Sequence, residues 1–153
     1  MRHLAVTATL LFASTGAFLR AEEITALPDD NVPEITAVTG FHSFEDKKQK
    51  LFVRLIEADE SADVAKNPVA LFLVVTNDAG GPDLQVKVWP LPAVAAVRKA
   101  TLTASGLRVS AAVDGMVDEK TGRLPERTET LTVRYTMEHG QLSDKIRVDR
   151  SQP

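Results

Sequence analysis

The sequence predicts an all-β domain: an antiparallel β-sandwich of about eight short strands, Ig-like in a loose sense. Three observations carry this. Val69 to Val75 form an unbroken apolar run rich in β-branched residues and too short to span a bilayer, which reads as a strand buried on both faces. Leu131, Val133 and Tyr135 alternate with Thr130, Thr132, Arg134 and Thr136, the period of two that a half-buried strand shows. Turn clusters recur at the spacing of sandwiches and barrels, and no segment has the apolar stripe of a strong amphipathic helix. A closed antiparallel barrel is the alternative architecture.

With 153 residues the chain is long enough for one domain whose core needs neither metal nor disulfide. Aromatic residues make up only 5%, so Val, Leu, Ile and Ala must fill that core. There is no cysteine, which excludes disulfides, thiol nucleophiles, zinc ribbons and iron–sulfur clusters. The formal net charge of −3 gives no electrostatic reason to seek nucleic acid.

In chain order, residues 1–21 read as a cleaved secretory signal. Arg2 gives a positive start, Leu4 to Phe12 an apolar middle, and Ala13 to Ala17 a run of small residues. Cleavage is expected after Ala17 or after Ala21. Removal of 1–21 takes away Arg2 and Arg20 and no acid, so the net charge moves from −3 to −5. No second stretch is long and apolar enough to span a membrane, so the mature chain is expected not to cross one. Export without cysteine points to a bacterial protein, secreted or periplasmic.

Residues 22–33, with Pro28 and Pro33, read as a flexible arm or as an edge strand around Ile24–Leu27. The single β domain is expected over 34–150, with a frayed tail at 151–153. Ile35 to Thr39 forms a strand that continues to Phe44 through a bulge at Gly40. After a charged turn, Glu45 to Lys50, the next strand puts Leu51, Val53 and Leu55 on one face and Phe52, Arg54 and Ile56 on the other. Glu57 to Lys66 is a polar connection. The central hairpin joins Val69–Val75, through the turn cluster Asn77 to Asp83, to a strand carrying Leu84, Val86 and Val88 on its apolar side. Pro90 and Pro92 then break the chain. Ala93–Ala104 mixes helix and strand formers, with the strand preferred from Val97 to Thr103. Ser105-Gly106 turns into the strand of Leu107, Val109, Ala111 and Val113. Asp114 to Arg127 is a long charged connection. His139-Gly140 occupies the place of a two-residue hairpin turn, followed by a return strand from Gln141 to Val148. Asp144, on the apolar side of that strand, is expected to be exposed or paired with a base.

Candidate chemistry is sparse, and no catalytic, cofactor-binding or metal-ligating residue is assigned. His42 reads as a packed or surface residue, and His139 as a turn residue. Ser105-Gly106 lacks the flanking elbow of a serine nucleophile. The loop Asp114 to Gly122 holds three acids among glycines, but acids are missing at the alternate positions of a calcium loop and Met116 and Val117 intervene. Glu57 to Asp63 lacks the glycine such a loop requires. Lys47, Lys48 and Lys50, with Arg54, read as a solvated turn beside Glu45 and Asp46. Trp89 reads as a core-edge residue, the alternative being an exposed binding anchor.

The expected function is that of an exported, non-catalytic binding module acting on a protein or cell-envelope partner, without a cofactor. Exposed strand edges at Ile35–Thr39 or Gln141–Val148 would admit a partner strand. Alternatives are a small β-barrel ligand carrier or enzyme, an inhibitor that inserts Asp114–Arg127 into a secreted enzyme, and a structural domain that packs against its own copies.

Overall fold

The alternating segments of the sequence all become strands in the computed structural model, which describes residues 20–29, 37–59, 69–77, 83–114, 122 and 126–152. The strands are β1 (Arg20–Thr25), β2 (Ala37–Asp46), β3 (Leu51–Asp59), β4 (Val69–Asn77), β5 (Val86–Val94) and β6 (Ala96–Thr103). They continue with β7 (Gly106–Asp114), β8 (Glu126–Arg134), the two-residue β9 (Met137–Glu138) and β10 (Gln141–Leu142), and β11 (Lys145–Ser151). No helix occurs among the described residues, so Ala93–Ala104 resolves as strand, and none there is long and apolar enough to cross a membrane.

Two antiparallel sheets result. One is the meander β2-β3-β4-β5; the other has the order β1-β11-β8-β7-β6; β9 and β10 form a separate hairpin. Neither sheet closes, which corrects the barrel alternative. The four-stranded sheet ends at β2 and β5 and the five-stranded sheet at β1 and β6. Pro90 and Pro92 do not break the chain: β5 runs through both to Val94. An outer strand has one flank without a ladder, so a residue that cannot donate a backbone N–H is tolerated there.

The inward faces of the two sheets share one apolar core. Leu51, Val53 and Leu55 of β3, Leu71, Leu73 and Val75 of β4, and Trp89 and Leu91 of β5 belong to the same cluster as Leu107 and Val109 of β7, Leu131 and Val133 of β8, and Ile146 and Val148 of β11. Each fully buried aliphatic side chain stabilises the fold by about 1.5–3 kcal/mol relative to exposure. The facing of β5 is the reverse of the expected one. Trp89 and Leu91 point into the core, while Val86 is 46% and Leu84 is 52% exposed. Trp89 has the larger area to bury, and its indole Nε1–H finds the Asp144 carbonyl at 3.0 Å, so its burial leaves no donor unsatisfied.

Several local features match the expected ones. The register of β2 against β3 shifts between Val38 and Gly40, the expected bulge. His139 (φ 52°) and Gly140 (φ 80°) both adopt positive φ, as a type I′ hairpin turn requires. Asp144 is exposed and paired with Lys87 at 2.5 Å. The return strand divides at Ser143 and Asp144 into β10 and β11. β1 pairs with β11 from Arg20↔Arg150 to Thr25↔Lys145. Beyond it, Ala26 N–H donates to the Asp144 carbonyl (2.6 Å) and Leu27 N–H to the Val88 carbonyl (2.7 Å), which ties this end of the chain to both sheets. At the other end β11 extends through Ser151, which pairs with Thr130.

Candidate interaction surface

Side chains alternate across a strand, so the registers also fix the outer face of the four-stranded sheet. One row across it reads Phe41, Ile56, Phe72, Pro90. The next reads Ser43, Arg54, Val74, Val88, and a third Glu45, Phe52, Thr76, Val86. This face is largely apolar. Phe72 is almost fully buried within it, whereas Phe41 at its margin is 57% exposed and Val38 is 60% exposed. Arg54 lies over the Phe52 ring (5.8 Å to its centre) and donates to Thr76 Oγ1 at 3.3 Å, so its charge serves the face and is not gathered with the lysines of the preceding turn.

The four sheet edges differ in how they discourage another strand. β5 carries Pro90 and Pro92, which lack N–H groups. β1 carries Arg20, Glu22 and Glu23 in six residues. β6 carries Arg98 and Lys99 at a register shift. These are recognised devices for blunting an edge. β2 has a single irregularity, at Val38/Gly40, and then pairs regularly with β3 from Gly40 to Asp46. Among the described residues no strand pairs with its other flank, and it carries neither proline nor Lys, Arg, Asp or Glu before Glu45. The other expected edge, Gln141–Val148, is corrected: β11 lies inside its sheet, between β1 and β8.

Behind β2, on its inward side, His42 Nε2 lies 2.9 Å from Glu57 Oε1. A side chain at position 40 would collide with that carboxylate, so Gly40 makes the pair possible. Further along, Tyr135 donates from its hydroxyl to Asp46 Oδ2 at 3.3 Å, a tie from the end of β8 to the end of β2. Burial raises the Tyr135 pKa well above the ordinary phenol range, and the charge and hydrogen bond of Asp46 raise it further.

The remaining sequence candidates fall as follows. His139 sits at the tip of the β9–β10 hairpin. Asp46 Oδ1 accepts from the backbone N–H groups of Lys48 and Gln49, both at 3.1 Å, which shapes the lysine-rich turn. Trp89 is wholly buried, so it is a core residue and not an anchor. Thr103 binds Ser105 and the Gly106 carbonyl, and organises that turn. Most of the Asp114–Gly122 loop, Asp114–Arg127 as an inserting loop, and the Glu57–Asp63 stretch beyond Asp59 lie outside the described residues. Among the described residues no group of three His, Asp or Glu side chains is placed to hold a metal.

Sequence reasoning missed the apolar outer face. The signal was present in Phe41 and Phe44, three residues apart and therefore on opposite faces, but only the strand order shows that Phe41 stands at an open edge. No protein-family model, curated protein or solved structure matches the chain.

Proposed function

We propose that this chain is an exported, non-catalytic β-sandwich module that holds a protein partner by accepting one of its strands along β2. The observation that carries this reading is the contrast among the edges: three of the four are blunted, and β2, bordered by exposed Val38 and Phe41, is not. Backbone hydrogen bonds to β2 would supply affinity, and side chains of the incoming strand next to Phe41 would extend the apolar face.

Export rests on residues 1–21. The extent of β1 bears on where the signal is cut. Cleavage after Ala17 keeps β1 whole, whereas cleavage after Ala21 removes Arg20 and Ala21 with their pairings to Arg150 and Asp149. Ala17 is therefore the proposed site, and the mature chain begins at Phe18.

The test is a paired capture. The mature chain and a Val38→Lys/Phe41→Lys variant are offered the exported proteins of the producing cells, with Lys47→Gln as a control. A partner recovered by the mature chain and the control, and reduced by about tenfold or more with the double variant, supports the reading. Equal recovery by all three proteins rejects it.

A further inference from the structure

The outer face of the five-stranded sheet is the chemical opposite of the face just described. Its rows, fixed by register, read Lys99, Ser110, Thr130, Ser151 and then Thr101, Arg108, Thr132, Asp149. Lys99 and Arg108 are therefore diagonal neighbours on one face of the β6–β7 hairpin, a relation that places side chains roughly 7–8 Å apart. Together with Thr101, Thr103, Ser110 and Thr130 they line a shallow open trough of about 390 Å³. None of the described residues that line it is a carboxylate.

The pairing of the other cations makes this stand out. On the same face Arg134 and Arg147 both bind Asp149, and Lys145 binds Glu23 at 2.7 Å. At the bulge Arg98 binds Glu126. Lys99 and Arg108 have no acidic partner among the described residues. Two like charges this near on one face repel each other, and a bound anion relieves that repulsion. Among the described residues, the acids on this face go to the other bases and leave this pair open.

We infer that this trough is a binding site for an anionic glycan, a polyol chain carrying sulfate or carboxylate groups. Lys99 and Arg108 neutralise an acidic substituent, and Arg108 can engage it with two parallel N–H donors. The flanking threonine and serine hydroxyls both donate and accept, which suits the hydroxyls of a sugar. The trough lies on the outer face of the sheet, so an extended chain can lie over it across the strands. Its described lining residues include no aromatic side chain on which a base could stack, and this favours a glycan over a single-stranded nucleic acid. This site lies on a different sheet from β2 and does not depend on the proposal made for that edge.

The experiment measures binding of the mature chain to immobilised heparin (sulfated), polygalacturonate (carboxylated), dextran (neutral) and single-stranded DNA at low and high salt. Binding is expected to one or both anionic glycans and not to dextran, and it is lost at high salt as screening shortens the reach of the charges. Lys99→Gln/Arg108→Gln should weaken it by about tenfold or more, while Lys47→Gln/Lys48→Gln, which removes the same charge elsewhere, leaves it unchanged. The preference between heparin and polygalacturonate identifies the acidic group. Binding to neither glycan, equal losses in the two double variants, or DNA binding as tight as glycan binding would each overturn the inference.

Discussion

The two sheets are alike on the inside and opposite on the outside. Both turn Leu, Val and Ile inward to one core, yet one presents Phe41, Val74, Val86 and Val88 outward and the other presents threonine, serine and basic residues. Burial in a two-layer fold dictates only the inner face of each sheet. The outer faces are free to differ. The unbroken apolar run of β4 follows directly: Leu71, Leu73 and Val75 serve the core, while Phe72 and Val74 serve the outer face. In β8 the same two roles produce strict alternation of apolar residues with threonine.

Substitutions test the contrast between the shared interior and the two outer faces. The largest effect is expected from Trp89→Ala, which opens the shared core and removes one of the two donors to the Asp144 carbonyl. Urea unfolding should show a loss of about 3–5 kcal/mol. A loss below about 1 kcal/mol would mean that the sheets do not share a core at this point. Gly106→Ala comes next. Gly106 has φ 123°, and an added Cβ would run into the Val133 carbonyl oxygen, an atom of the backbone ladder. A loss of about 1–3 kcal/mol is expected in the same assay.

The Tyr135 hydroxyl offers a pH-resolved test of the tie between sheets. Its pKa is raised in the folded state, so its contribution is fully present below the ordinary phenol value of about 10 and is lost as pH rises towards the folded value. Lys145, raised by its hydrogen bond to and the charge of Glu23, moves stability in the same direction at high pH. The difference between the original chain and Tyr135→Phe therefore isolates the phenol. That difference should be flat up to about pH 10 and shift against the original chain above it. The smallest effect on stability is expected from Phe41→Lys, within about 0.5 kcal/mol because the site is exposed. A large loss there would show that the outer face is already covered by the protein itself.

Patterns confined to a few neighbouring residues were legible in the sequence. The central hairpin, the alternation of β8, the bulge at Gly40 and the His139-Gly140 turn all depend on local chemistry. Features that depend on which strand lies beside which were not. Gln141–Val148 looked like an edge because nothing in those residues announces that β1 will cover β11. Pro90 and Pro92 looked like breakers because their tolerance depends on β5 being outermost. The facing of β5 was ambiguous because both of its sides carry apolar residues, and the contest was decided by Trp89 finding the Asp144 carbonyl. The nearness of Lys99 to Arg108 was not legible because the register shift between Val97 and Lys99 sets their alignment.

The most direct measurement is site-specific crosslinking in the producing cells. A photo-reactive amino acid replaces Ser43 on β2 in one strain and Thr76, on the same outer face but inside the sheet, in another. The expected result is one discrete protein adduct from position 43, absent from position 76 and lost when Phe41→Lys is added. No adduct from position 43, or one indifferent to Phe41→Lys, would contradict β2 as the edge that receives a partner.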